Sequence, residues 1–204
     1  MNGDMGVNRL NRRGLFAAVL AVAAVPAFAQ FSESFNFLKA VRERDNVKVT
    51  QIVSNPSSTA INARDRETGE GALHILVRGR DFNWLLYILS HGARPDLQDN
   101  RGNTPLMAAA QIGWVEGAEA LLARRATVDL ANNRGETPLI LAVQRRDIAM
   151  VRVLLARGAD PSRTDNAAGY SALDYARRDN RAAPIVRLLE ARRPPARPAA
   201  GPAR

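Results

Sequence analysis

The chain has 204 residues, 46% of them apolar but only 5% aromatic, with no cysteine and two histidines, His74 and His91. That composition suits one ordinary domain of closely packed Ala- and Leu-rich helices. It excludes disulfides, a thiol nucleophile and thiolate metal sites, and leaves too few imidazoles for a histidine-rich metal centre. The formal net charge of +9 favours attraction to acidic proteins or to an anionic envelope surface.

The first thirty residues, MNGDMGVNRLNRRGLFAAVLAVAAVPAFAQ, differ from the rest. Arg9, Arg12 and Arg13 make a basic start, an apolar run extends from Gly14 to Val25, and Pro26 precedes the small-residue pattern Ala27-Phe28-Ala29. These are the parts of a secretory signal with cleavage expected after Ala29. The run has 12 residues, against roughly 20 needed to span a bilayer. Arg12-Arg13-Gly14-Leu15-Phe16 also resembles a twin-arginine export signal, with Asn11 where that motif prefers Ser or Thr. The general secretory route is the simpler expectation, and either route leads out of the cytoplasm, to the periplasm. Asp4 is out of place in a basic start, and translation from Met5 would remove it. Loss of residues 1–29 takes away three arginines and Asp4, leaving 26 basic and 19 acidic residues, a charge of +7. An exported location argues against a nucleic-acid partner.

From residue 34 the chain repeats itself. RGNTPLMAAAQIGWVEGAEALLARRATVDLAN starts at Arg101, and RGETPLILAVQRRDIAMVRVLLARGADPSRTD starts at Arg134. Equivalent leucines stand at Leu38, Leu73, Leu106, Leu139 and Leu173, spaced by 35, 33, 33 and 34 residues. Fifteen residues after each comes an aliphatic residue, Val53, Ile88, Leu121, Leu154 or Leu188. Gly69, Gly102, Gly135 and Gly169 precede the last four leucines by four positions. Each copy reads as two short helices. Thr104 and Thr137 cap the first helix, Pro105 and Pro138 occupy its first turn, and Ala108, Ala109 and Ala110 allow close approach. Val151, Leu154 and Leu155 give the second helix an apolar face, and Gly158 ends it at positive φ. Arg125 stands where the third copy needs that glycine, which predicts a strained turn there. The tail RRPPARPAAGPAR is expected to be disordered or polyproline-like, and a solvated tail is favoured over one that docks on an anionic surface.

This unit resembles the ankyrin repeat, D-x-x-G-x-T-P-L-H-x-A followed by a second helix with paired leucines and G-A. The resemblance covers residues 34–193 and is best in the third and fourth copies. It implies an all-α ankyrin-repeat solenoid of about five helix-turn-helix repeats, at about 34–64, 65–98, 99–131, 132–164 and 165–193. The turns at Asp99–Asn103 and Asn132–Glu136 are then expected to project as short β-hairpin fingers. The boundaries are a signal peptide at 1–29, the repeat domain at 30–193 and a tail at 194–204. Stacked units bury the apolar face that one unit leaves open, and charged ends, such as Lys39 and Arg42 or Arg177 and Arg178, cap the stack. His74, at the histidine of the motif, is implied to make structural hydrogen bonds between repeats. His91 stands at a helix end, and Trp84 is expected in the core.

No catalytic constellation, phosphate loop, cofactor motif or metal-ligand spacing is organised in the sequence, so the reading is a non-enzymatic, monomeric protein that binds another protein. The resemblance implies binding through a concave face made of finger tips and the exposed side of the first helices. The finger residues are then Arg66, Glu67, Asn100, Arg101, Asn103, Asn133, Arg134 and Glu136. The helix residues are Arg78, Gln111, Ile112, Gln144 and Arg145. Trp114, just after Gly113, is expected as an aromatic contact anchor, with packing on an inter-helix turn as its alternative. Two narrower roles stand beside simple capture: an inhibitor or protective partner of an envelope enzyme or toxin, and a basic module that attaches to an anionic envelope surface.

Overall fold

A computed structural model describes residues 27–192, with side chains from Glu33 onward. The basic start and apolar run of the leader, and the tail from residue 193, lie outside the described residues. Ten helices follow one another: α1 (Ala27–Glu43), α2 (Asn46–Val53), α3 (Ala72–Arg78), α4 (Phe82–Ser90), α5 (Pro105–Ile112), α6 (Val115–Ala123), α7 (Pro138–Gln144), α8 (Ile148–Ala156), α9 (Ala172–Arg178) and α10 (Ala183–Arg192). A 3₁₀ turn at Ala60–Asn62 closes the first repeat. Ala29, the expected cleavage point, lies in the first turn of α1.

The helices form two layers. The odd-numbered helices pack in series, α1 on α3, α3 on α5, α5 on α7 and α7 on α9, while α4, α6, α8 and α10 make the second layer. The sequence dictates this arrangement locally. Thr104 Oγ1 accepts from the Met107 N–H at 3.2 Å, and Thr137 Oγ1 from the Ile140 N–H at 3.3 Å. Proline follows each cap where its missing N–H costs nothing. Asp45, Asp81 and Asp147 cap α2, α4 and α8 by accepting from Lys48, Trp84 and Met150 N–H groups. Leu73, Leu106, Leu139 and Leu173 are all buried between layers, and each such burial contributes about 1.5–3 kcal/mol. Among the described residues there is an all-helical solenoid with no strand, only an isolated bridge between Thr164 and Ser171.

Two expected local features appear. Gly158 adopts φ +88°, and Arg125, in the corresponding place, is forced to φ +65°. The β-hairpin fingers are corrected to compact turns. Asp99 N–H donates to Asn103 O at 2.9 Å, and Asn132 N–H to Glu136 O at 3.0 Å. Within each loop, the first side chain ties down the following N–H groups: Asp99 Oδ1 accepts from Arg101 and Asn103, and Asn132 Oδ1 from Arg134 and Glu136. A five-residue loop closed in this way has no length left for paired strands.

Candidate binding face

The turn tips stack on one another through the main chain. Asn100 N–H donates to Thr68 O at 2.9 Å, Asn133 to Arg101 O at 3.1 Å, and Asn166 to Arg134 O at 2.8 Å. Turn and first helix flank a common groove. The side chain just ahead of the capping position meets the one eight residues later: Glu70 pairs with Arg78, and Arg178 lies 4.4 Å from the Tyr170 ring centroid. This contact fixes which residues can face a partner together.

The structure sorts the expected contact residues into three kinds. Arg101, Gln111, Gln144 and Arg145 are exposed, and no hydrogen bond or ion pair inside the chain is made by the Arg101, Arg145 or Gln111 side chains among the described residues. Arg66 and Glu67 are exposed at the second repeat's turn. Arg78 and Arg134 are exposed but already hold Glu70 and Glu136, the latter pair at 2.7 Å. Burial lowers the Arg78 pKa, reinforced by the Arg42 charge.

The remaining residues work inside the stack. Asn100 Nδ2 donates to Glu67 O at 2.8 Å while its Oδ1 accepts from Arg64. Asn133 Nδ2 donates to Asn100 O at 3.2 Å. Asn103 bridges Asp99 and Asn132 with its amide. Glu136 is buried and receives Asn132 and Arg134. Ile112 is half-buried, and its carbonyl accepts from Arg80 Nη2 at 2.7 Å. As readers of a partner, Asn100, Asn103, Asn133 and Glu136 are therefore corrected to internal residues: the three asparagines bond to a neighbouring turn, and Glu136 is enclosed within its own.

Trp114 is corrected as well. It is 6% exposed and holds the position just before α6 without a side-chain capping bond. A Cβ placed on Gly117 would come within 2.1 Å of its ring, and Phe82 of the preceding repeat meets it edge-on, with centroids 6.4 Å apart. The indole is an internal wedge between two repeats, the alternative weighed for it, and not an exposed anchor. Trp84 is half-buried against the core.

His74 takes its expected place. Its Nδ1 accepts the Gly71 N–H at 3.2 Å, so Nε2 carries the proton and donates to Asn103 O, 2.9 Å away in the next repeat. Burial holds this ring below the ordinary imidazole range, although Asn103 and Asp99 oppose the shift. Asp65 is held far below the usual carboxylate range by the Thr68 N–H and the Arg42 guanidinium, the latter at 2.6 Å. Burial acts to raise Asp165, but the Tyr175 hydroxyl and the N–H groups of Ala168, Gly169 and Ala167 outweigh it and bring it down. Among the described residues no three His, Asp or Glu side chains gather to hold a metal, and no helix is long and apolar enough to cross a membrane.

Arg178, Tyr170 and Tyr175 belong to this face although the sequence reading left them out. The signal was available for Arg178: it follows Leu173 by five residues, as Arg78 follows Leu73. Its placement among the terminal charges hid that equivalence.

Comparison with known proteins agrees with this architecture. A 79-residue stretch is 36% identical to Oxysterol-binding protein homolog 1 of Saccharomyces cerevisiae (strain ATCC 204508 / S288c), covering 37% of this chain. The chain spans only 7% of the length of that relative. The family described as Ankyrin repeats (3 copies) matches over residues 37–132, 73–165 and 121–193, which together take in every repeat seen in the fold. With its paired helices, capped turns and stacked tips in phase with those matches, the chain belongs to the ankyrin-repeat family.

Proposed function

We propose that the chain is an exported, non-enzymatic binding module that captures another protein on the face formed by its turn tips and odd-numbered helices. Ankyrin repeats are protein-binding scaffolds in general. The observation that carries the reading for this chain is the pair of exposed, uncommitted arginines, Arg101 and Arg145, beside the exposed amides Gln111 and Gln144. Arginine without an internal acid presents a planar fork of donors suited to a partner's carboxylates. The net charge of +7 on residues 30–204 supports an acidic partner and a fast, salt-dependent encounter. Export is supported by the basic, apolar and small-residue parts of residues 1–29.

The test is capture from an envelope extract by the wild type and by Arg101→Glu/Arg145→Glu. One stoichiometric protein retained by the wild type at moderate salt and lost by the variant, with unchanged circular dichroism, is expected. Undiminished capture by the variant would place the contact elsewhere. N-terminal sequencing of the protein recovered from the envelope fraction tests export, with Gln30 as the expected first residue. The captured protein's identity separates a scaffold from an inhibitor of an envelope enzyme or toxin. Release by salt from anionic vesicles, with no protein captured, would favour surface attachment instead.

A further inference from the structure

The arginines of the binding face are not equivalent along the stack. In the first two repeats Arg42 and Arg78 are neutralised from within: Arg42 holds Asp65 at 2.6 Å, and Arg78 holds Glu70. On the side of the turns and first helices, three guanidinium groups of the later repeats have no carboxylate within ion-pair distance among the described residues. Arg101 stands on the third turn, Arg145 ends the first helix of the fourth repeat, and Arg178 ends that of the fifth. Arg178 is laid on the Tyr170 ring, an arrangement that orients the fork without consuming its charge. Arg145 leans back across a repeat boundary, its Nη2 3.4 Å from where a Cβ on Gly113 would lie.

Two exposed amides accompany these arginines on the first helices. Gln111 and Gln144 hold the same position of successive repeats, five after Leu106 and Leu139, and both are exposed. Each amide offers a donor and an acceptor, the pair of groups that a peptide main chain presents. The Tyr175 hydroxyl donates to Asp165. The exposed large apolar side chains, Phe35, Val47, Phe82 and Ile148, belong to α1 or to the starts of second helices, not to this group. Neighbouring helices in such a stack are about 8–10 Å apart, and an extended chain advances about 10 Å in three residues.

We infer that repeats three to five bind an extended acidic segment of another protein, its carboxylates spaced to meet Arg101, Arg145 and Arg178 and its main chain read by Gln111 and Gln144. This deepens the capture reading above and rests on it. A folded apolar patch would find no counterpart here, whereas an open acidic strand finds a charge in each of the three repeats and an amide in the third and fourth. Binding is dominated by charge and falls with salt.

The experiment uses the full chain and fluorescein-labelled Gly/Ser peptides carrying three glutamates, read by fluorescence anisotropy. One peptide has the glutamates at every third position, a second has them contiguous, and a third has glutamine in their place. The spaced peptide is expected to bind several-fold better than the contiguous one, and the glutamine peptide not at all. Each of Arg101→Gln, Arg145→Gln and Arg178→Gln should weaken it about 10-fold. Arg124→Gln/Arg152→Gln/Arg157→Gln removes three charges from the second-helix side and should leave the dissociation constant within about 2-fold. Equal binding of spaced and contiguous peptides, equal loss in the control triple variant, or equal binding of anionic vesicles would each overturn the inference in favour of generic charge attraction. If no peptide binds while Arg101-dependent capture of an intact protein persists, the extended-segment inference falls and the capture reading stands. If both fail, both fall.

Discussion

Replacing Trp114 by alanine gives the sharpest separation of a packing role from a contact role. The indole is 6% exposed, overlies Gly117 and meets Phe82 edge-on at 6.4 Å. Trp→Ala at such a site removes transfer energy and leaves a cavity, about 3–5 kcal/mol together. With a urea dependence of about 2 kcal/mol per molar, the unfolding midpoint should fall by roughly 1.5–2.5 M. Trp114→Phe retains the edge contact and much of the volume, so its shift should be less than half as large. Gly117→Ala probes the same packing from the other side, because its methyl group has nowhere to go but into the ring; a loss of about 1–3 kcal/mol is expected. Urea titrations followed by circular dichroism measure all three. A Trp114→Ala midpoint within about 0.3 M of wild type, together with loss of partner capture by the folded variant, would refute the wedge and restore the exposed anchor.

Two further perturbations read the stack at other points. His74 is neutral when folded because burial depresses its pKa, whereas the unfolded chain takes up a proton near the ordinary value of about 6.5. The unfolded state therefore binds more protons below that pH, and this contribution to stability is complete above about pH 6.5 and declines as pH falls toward the folded value. In His74→Gln the change in unfolding free energy between pH 7.5 and 5.5 should be smaller than in wild type; an unchanged slope would mean that another group titrates. Arg125 sits at φ +65° with no ion pair among the described residues, so Arg125→Gly should stabilise the chain by about 1 kcal/mol. Arg80→Gly relieves similar strain at φ +50° but deletes the 2.7 Å bond to Ile112 O, so its gain should be cancelled or reversed. Equal gains in the two variants, read from urea midpoints, would show that the Arg80 bond contributes nothing.

The legible part of the fold is the part fixed by short-range chemistry. Thr104-Pro105 and Thr137-Pro138 announce helix starts on their own, and the glycine position taken by Arg125 announces a strained turn. The leucine spacing announces stacking because only neighbouring copies can cover Leu106 or Leu139. The binding face was less legible because exposure and hydrogen-bonding partners are set between repeats. Asn100 and Asn133 look like free polar tips in one copy, yet their amides reach carbonyls 33 residues away. Trp114 looks like a surface aromatic beside a turn until Phe82 is brought against it from the preceding repeat. Glu136 resembles a tip acid, but the Asn132 and Arg134 side chains enclose it.

The Trp114 departure belongs to the third repeat, and one row of residues explains it. At the turn between paired helices, repeats one, two and four carry Arg-Asp: Arg44-Asp45, Arg80-Asp81 and Arg146-Asp147, each arginine at positive φ. The arginine reaches forward to the next repeat, Arg44 to Asp81 at 3.8 Å and Arg146 to Asp179 at 3.4 Å, while the aspartate caps its own second helix in all three. Repeat three writes Gly113-Trp114 instead. Arg80 then finds no acid ahead and turns to the Ile112 carbonyl, and Asp147 loses the arginine of the preceding repeat: a Cβ on Gly113 would lie 2.9 Å from its carboxylate and 3.4 Å from Arg145 Nη2. An apolar wedge replaces the ionic rung at this boundary, so the stack is joined there by burial, which salt does not weaken as it weakens exposed ion pairs. The glycine opens the space over which Arg145 leans. The same position in the repeat thus sets both the burial of Trp114 and the place of the Arg145 guanidinium over Gly113.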